Sequence, residues 1–286
     1  MAYMHIGKDF TPPDVHGKVT GKAKYAEDFR VDGMLYARLL TSPVPHARIQ
    51  SLNLSEALRM DGVIAVLTAD DVPVMPNLSN PILTNEPAYV GDPILAVAAV
   101  DEQTAEDAIE AINFSFEPLP FTVDPITSLQ PNGPHARTQG NVGNSSMRDE
   151  VRSMHWSEQE IQAINNNQMP GAEAVREWTV GDLDAGFAEA AYVLSESFVT
   201  ASHSHHSMEP RSALAYWENG KCFLHGSSQS QSFPVPALAG YIGIDPADLV
   251  FIAEFCGGGF GSKGGGYPQM SIPAHMARLT GRPVML

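Results

Sequence analysis

Leu249-Val250-Phe251-Ile252-Ala253-Glu254-Phe255-Cys256-Gly257-Gly258-Gly259-Phe260-Gly261-Ser262-Lys263-Gly264-Gly265-Gly266 is the stretch on which the reading of this chain turns. It opens as an apolar, β-prone run, Leu249 to Ala253, and passes into almost bare backbone. Glycine loses more conformational freedom on folding than any other residue, so such a run weakens a fold unless something must approach the main chain closely. Successive N–H groups in a loop of this kind suit an oxyanion or a metal-oxo group. Pro268 to Thr280 then reads as a helix closed by Gly281. The expectation is a strand, a bare loop and a helix whose N-terminus adds its own attraction for an anion.

Two familiar glycine loops are tested first. A Walker A loop needs glycine before its lysine and Ser or Thr after it, whereas here Ser262 precedes Lys263 and Gly264 follows. A dinucleotide fingerprint fits formally on Gly259, Gly261 and Gly264, but it also asks for an acidic residue roughly 20 positions on, and none occurs up to Leu286. An NAD-binding dehydrogenase is therefore the weaker alternative.

Outward from the loop, the chain divides by texture. Residues 17–130 mix strands and helices without strict alternation, which indicates an α+β unit. Strands are expected at Gly33–Thr41, Gly62–Thr68, Pro93–Val100 and Ile112–Phe116, the third apolar enough for burial on both faces. A helix follows, with Thr104 and Asp107 as an approximate capping box and a stripe at Ala105, Ala108, Ile109 and Ile112. Residues 131–175 are rich in Pro, Gly, Asn and Gln and read as a linker or insertion, with a short helix at His155–Ala163. Residues 176–286 resume order. A helix is expected at Asp182–Ala191, a strand at Tyr192–Thr200, a hairpin around Asn219-Gly220 and a helix at Pro234–Ile242. Gly281 to Leu286 reads as the start of a further strand.

Composition narrows the classes. The 286 residues carry a formal charge of −16, which argues against a nucleic-acid partner. No apolar run reaches the ~20 residues of a membrane helix. Met1 to Pro13 has no apolar segment of the Sec type, so a cytoplasmic location is expected. Cys222 and Cys256 are the only cysteines, too few to ligate an iron–sulfur cluster, so any redox chain continues in another polypeptide. Cys256 abuts the glycine run but reads as an inert thiol.

The Gly257–Lys263 run resembles the cofactor loop of the xanthine dehydrogenase/aldehyde oxidase family, the molybdenum hydroxylases. Further segments follow the family's order: Gly21-Lys22-Ala23-Lys24-Tyr25-Ala26-Glu27-Asp28-Phe29, Leu35-Tyr36-Ala37-Arg38, Ser42-Pro43, His46-Ala47-Arg48-Ile49, Tyr89-Val90-Gly91-Asp92-Pro93 and Glu117-Pro118-Leu119-Pro120. His205-His206-Ser207-Met208-Glu209-Pro210 and Ser227-Ser228-Gln229 complete the series. The resemblance implies a hammerhead-type α/β domain at 17–130, followed by the first part of a molybdopterin-binding α+β domain at 176–286.

It also implies roles. Gln229 would contact the molybdenum centre and the pterin, and as a buried glutamine it would need partners at both ends of its amide. Gly258, Gly259, Phe260 and Gly261 would bind the cofactor, with the Phe260 N–H near an apical oxo ligand while the ring locks the loop into the core. Lys263 is open between neutralising a cofactor pyrophosphate, a solvated lysine and a packing salt bridge. His203, His205, His206 and Glu209 would form a tempting metal cluster, yet the resemblance implies no directly ligating residue there and leaves Glu209 to anchor backbone. Gly264 departs from purine-oxidising members, which carry glutamate after the loop lysine.

The remaining implications concern partners. The cofactor would be molybdenum–molybdopterin, in its cytosine dinucleotide form, with [2Fe–2S] and FAD on separate subunits. No catalytic residue is expected in this chain; the general-base glutamate would come from a second molybdopterin-binding subunit, this chain being half of a split large subunit. The activity expected is a molybdenum-dependent oxidoreductase that hydroxylates a small molecule. A non-catalytic scaffold of the cofactor cavity is the alternative.

Overall fold

The computed structural model describes residues 4, 6–74, 81–138, 140–142, 153–166, 168, 176–194, 196, 198, 200, 201 and 203–286. The first helix, α1 (Val15–Val19), precedes the first strand, β1 (Leu35–Thr41). Then come β2 (Ala47–Asn53), α2 (Ser55–Arg59), β3 (Val63–Thr68), β4 (Pro93–Ala99), α3 (Glu102–Glu110) and β5 (Asn113–Pro118). Three short helices follow, α4 (Pro125–Leu129), α5 (Glu158–Asn165) and α6 (Leu183–Glu189). The chain continues as β6 (Ala213–Glu218), β7 (Lys221–Gly226), α7 (Val235–Ile242), β8 (Leu249–Ile252), α8 (Ile272–Thr280) and β9 (Val284–Met285). The fold is mixed α and β, as expected.

Seven strands form one sheet in the order β3-β4-β1-β9-β6-β7-β8, and β2 pairs with β5 in a separate ribbon. β4 is buried along its whole length. Its alternation explains why. Ala96 and Ala98 face a core shared with α7 and α8, while Leu95 and Val97 face the core beneath α2 and α3. A strand covered on both faces must be apolar at every position. β9 is the joint of the sheet: it runs parallel to β1 and antiparallel to β6. The strands drawn from the two halves of the chain thus share one hydrogen-bonded surface.

The local chemistry behind these elements is visible. Asn219 (φ 50°) and Gly220 (φ 79°) both take left-handed backbone, as a two-residue turn between β6 and β7 requires. Gly243 and Gly281 close α7 and α8 in the same left-handed conformation. Three expectations need correction. The cap of α3 is Asp101, whose carboxylate accepts from the Thr104 N–H at 2.7 Å, so Thr104 sits at the third helical position rather than at the cap. No described residue of 192–200 is in a strand; Tyr192, Leu194 and Phe198 are exposed, while Ser195, Ser197 and Val199 lie outside the described residues. The short helix of the 131–175 stretch begins at Glu158, because Ser157 and Glu160 form a capping box; 143–152 and 169–175 fall outside the described residues.

Candidate cofactor site

Three pieces of chain meet beyond one end of the β6–β7 hairpin. Ala213 pairs with Gly226, so the segment entering β6 lies beside the segment leaving β7. β8 runs parallel to β7 with Ile252 opposite His225, so the loop leaving β8 emerges at that same end. This register brings Glu209, Gln229 and the glycine loop together.

Lys263 lies at the centre. It is only 2% exposed, and its ammonium donates to the Glu209 carbonyl oxygen at 2.7 Å and to Glu209 Oε2 at 3.1 Å. The Glu209 carboxylate also accepts from the Ser227 hydroxyl at 2.7 Å, the Gly257 N–H at 2.8 Å and the Ala26 N–H at 3.3 Å. Burial disfavours the charge on Glu209, but the Ser227, Gly257 and Lys263 donors outweigh it and hold its pKa below the ordinary carboxylate value. The choice left open for Lys263 is therefore decided: it is an internal ion-pair partner, and its charge is spent on Glu209. The Glu209 carboxylate thus anchors backbone at two points, Gly257 and Ala26, and holds the Ser227 and Lys263 side chains besides. A buried pair is tolerable only when its remaining hydrogen-bonding capacity is filled in this way.

Gln229 is exposed, which corrects the expectation of a buried side chain. Its Oε1 accepts from the Gly261 N–H at 3.0 Å and the Lys263 N–H at 3.2 Å. Its own N–H donates to the Lys263 carbonyl at 2.9 Å. The carbonyl end of the amide is thus occupied by the loop itself. The Nε2 end makes no hydrogen bond among the described residues.

Phe260 also departs from expectation. The residue is 73% exposed, and its backbone is left-handed at φ 51°, an uncommon state for an aromatic residue. The ring leans over Gly258, where a Cβ would come within 3.1 Å of it. The loop is fastened by Glu209, Lys263 and Gln229, not by an aromatic anchor. Gly259 is obligatory for space, since a Cβ there would stand 2.4 Å from the Gln229 side chain. Gly257 meets the same limit, 2.4 Å from the Glu209 Cβ, a need that sequence reasoning missed.

The amides of the loop can now be assigned one by one. Gly257 donates to Glu209, Gly261 and Lys263 donate to Gln229, and Ser262 donates to the Gly259 carbonyl at 2.8 Å. Among the described residues, the N–H groups of Gly258, Gly259 and Phe260 donate to nothing. Three consecutive donors lie between two fastened ends, and a ligand rich in oxygen acceptors fits them.

The surroundings refine the picture. The expected helix N-terminus does not contribute: α8 is preceded by a 3-10 turn, Pro268–Ser271, and Met270, Ser271 and Ile272 are fully buried. Cys256 donates weakly to the Gly258 carbonyl at 3.5 Å, and burial pushes its thiol up, away from thiolate chemistry. His203, His205 and His206 are exposed, and among the described residues no three His, Cys, Asp or Glu side chains gather to hold a metal. Arg211, which sequence reasoning passed over, donates to the Ser262 carbonyl at 2.7 Å and stacks over the Tyr267 ring at 4.9 Å. Its signal was a cation two positions beyond Glu209.

Comparison with known proteins gives the family. A family described as the aldehyde oxidase and xanthine dehydrogenase a/b hammerhead domain matches residues 20–120, and the molybdopterin cofactor-binding domain matches 164–286. The chain belongs to the xanthine dehydrogenase and aldehyde oxidase family of molybdenum hydroxylases. Within it, the chain is 29% identical to the nicotinate dehydrogenase large molybdopterin subunit of Eubacterium barkeri, over 97% of this chain and 59% of that protein. It is 31% identical to a probable xanthine dehydrogenase component of Bacillus subtilis, over 96% of this chain and 34% of that one. Among solved molybdenum hydroxylases, the CO dehydrogenase of Oligotropha carboxidovorans superposes with a TM-score of 0.72 at 26% identity, covering 98% of this chain and 34% of that structure. The aldehyde oxidoreductase of Desulfovibrio gigas gives a TM-score of 0.71 at 26% identity, over 96% of this chain and 29% of that structure. The chain thus spans between about a third and three-fifths of the curated relatives named here. Glu209, Gln229 and the loop all lie inside the molybdopterin-binding match. Among the described residues, no helix is long and apolar enough to cross a membrane.

Proposed function

We propose that Gly258, Gly259, Phe260 and Gly261, together with Gln229, form one wall of the molybdopterin site of a molybdenum-dependent oxidoreductase. The observation that carries this reading is the run of three undonated N–H groups, Gly258 to Phe260, between amides that are all engaged. When bound, the molybdenum centre supplies transfer of oxygen from water to an electron-poor carbon and takes up the electrons released. This chain's residues bind and orient. The free N–H groups of Gly258, Gly259 and Phe260 would hold acceptor oxygens of the bound group, and the Gln229 Nε2 would add a donor. The Glu209–Lys263 pair keeps the loop from relaxing, so the donors are set before the ligand arrives.

The substrate class is an N-heterocycle or an aldehyde, consistent with the names nicotinate dehydrogenase and aldehyde oxidoreductase among its relatives. Gly264, in place of an acidic residue after the loop lysine, disfavours xanthine. The general-base glutamate and the other cavity walls come from outside these 286 residues, on a second molybdopterin-binding subunit. In this reading an iron–sulfur subunit and an FAD subunit carry electrons away; Cys222 and Cys256 are too few to hold a [2Fe–2S] cluster within these 286 residues. The cytosine dinucleotide form of the pterin belongs to the same proposal.

The test is Gln229→Ala in the assembled enzyme. Freeing the Gly261 and Lys263 amides loosens the loop, so molybdenum content and turnover should both fall while far-ultraviolet dichroism stays unchanged. Full molybdenum loading with undiminished turnover would refute the role given to Gln229. A purified complex without molybdenum or pterin would leave only the scaffold alternative standing.

A further inference from the structure

His135 and His155 form a pair that the cofactor site does not use. Their Nε2 atoms face each other at 3.3 Å, with ring centroids 5.4 Å apart and planes inclined by 22°. The Nδ1 of His155 lies 2.9 Å from the Gln130 carbonyl oxygen. A carbonyl only accepts, so this Nδ1 carries the hydrogen and the neutral ring presents its Nε2 lone pair towards His135. Metal-binding imidazoles are oriented in this way, by donation from the non-ligating nitrogen to a carbonyl or carboxylate.

The separation is a second, independent indication. Two nitrogens each ~2.0–2.1 Å from a tetrahedral zinc ion stand about 3.3–3.4 Å apart. The backbone around the rings is also fixed. The Trp156 N–H donates to the Leu129 carbonyl at 2.7 Å. Asn141 donates to the Ser128 carbonyl at 3.2 Å and to the Met154 carbonyl at 2.7 Å, and its Oδ1 accepts from the Met154 N–H at 2.8 Å. With the backbone held and the nitrogens already at this separation, a modest turn of each ring suffices to form the chelate.

We propose that His135 and His155 form a two-histidine site for a tetrahedral divalent transition-metal ion, zinc by its geometry, with water completing the shell on the exposed His135 side. Without the ion, the His135 Nε2–H donates to His155 Nε2. On binding, the His135 proton moves to its Nδ1, so both Nε2 lone pairs meet the ion and both rings stay neutral. The ion cross-links Gln130–His135 to Met154–Trp156 and staples the polar excursion that separates the two halves of the fold. This inference does not rest on the molybdopterin reading.

The experiment is calorimetric titration of the full chain, stripped of metal by chelation, with zinc chloride. One zinc per chain should bind, and His135→Asn and His155→Asn should each weaken that event by ~10-fold or more. A His203→Asn/His206→Asn variant controls for the exposed histidines of the other half and should keep it. Cobalt(II) at the same site should give the intense visible absorption of a tetrahedral complex. Zinc binding unaltered by either replacement, no binding, or a weak octahedral cobalt spectrum would overturn the site and leave a hydrogen-bonded pair only. His135 is exposed, so its replacement alone is decisive if the His155 variant does not fold.

Discussion

Two irregular stretches of this molecule, the glycine loop after β8 and the polar excursion between α4 and α5, are held in opposite ways. The loop is fastened from beneath, by a buried ion pair and by a glutamine carbonyl that gathers two amides. The excursion is fastened at its surface, by the Asn141 side chain and by paired histidines. Buried polar anchors cost much to break, because the abandoned partner cannot turn to water; surface anchors cost little. The loop's anchors are therefore the costlier to break, although its sequence is the more permissive. That fastening leaves the N–H groups of Gly258, Gly259 and Phe260 without an acceptor among the described residues.

The largest expected effect follows from cutting the buried pair. Glu209→Gln leaves Lys263 charged and unpaired inside the protein and should cost about 3–5 kcal/mol in chemical denaturation. Adding Lys263→Met should recover much of that stability without restoring molybdenum content, since the loop anchors remain lost. The pair also has a pH signature. The folded pKa of Glu209 is depressed, so its contribution is complete above the unfolded carboxylate value of about 4.3 and is lost as pH falls through the folded value. Glu209→Gln should flatten stability across that acid window; an unchanged acid profile would break the contrast drawn above.

Smaller effects sharpen it. Gly259→Ala drives a methyl group into Gln229 and should cost roughly 1–3 kcal/mol by overpacking, with molybdenum content falling in parallel. Asn141→Ala, in the excursion, should cost about 1 kcal/mol and leave molybdenum content untouched. Arg211→Ala removes an exposed stack on Tyr267 and should cost about 0.5–1 kcal/mol, seen as a small shift in melting temperature. If Asn141→Ala proved as damaging as Glu209→Gln, the distinction between buried and surface fastening would fail.

Much of the fold could be read in advance because local chemistry carries it. The all-apolar run of β4 announced a doubly covered strand, and Asn219-Gly220 announced its hairpin. The helix expected from His155 starts three residues later, at Glu158, where Ser157 and Glu160 cap it. What could not be read depends on distant partners. Tyr192 to Thr200 has the composition of a strand, but none of its described residues is in one. β9 is two residues long and means little until β1 and β6 flank it.

The candidate site divides in the same way. The amino-acid order alone determined that a bare-backbone loop with one aromatic follows an apolar strand, because residue type and spacing are local properties; that Gln229 and Glu209 accompany it came from the family resemblance. Only the tertiary structure decided what each group does: that Lys263 faces inward, that Gln229 turns its carbonyl to the loop, and that Phe260 stands in solvent. Those outcomes depend on which groups meet across 54 and 34 positions of chain, and there the need to pair every buried charge and amide, not local preference, sets the result.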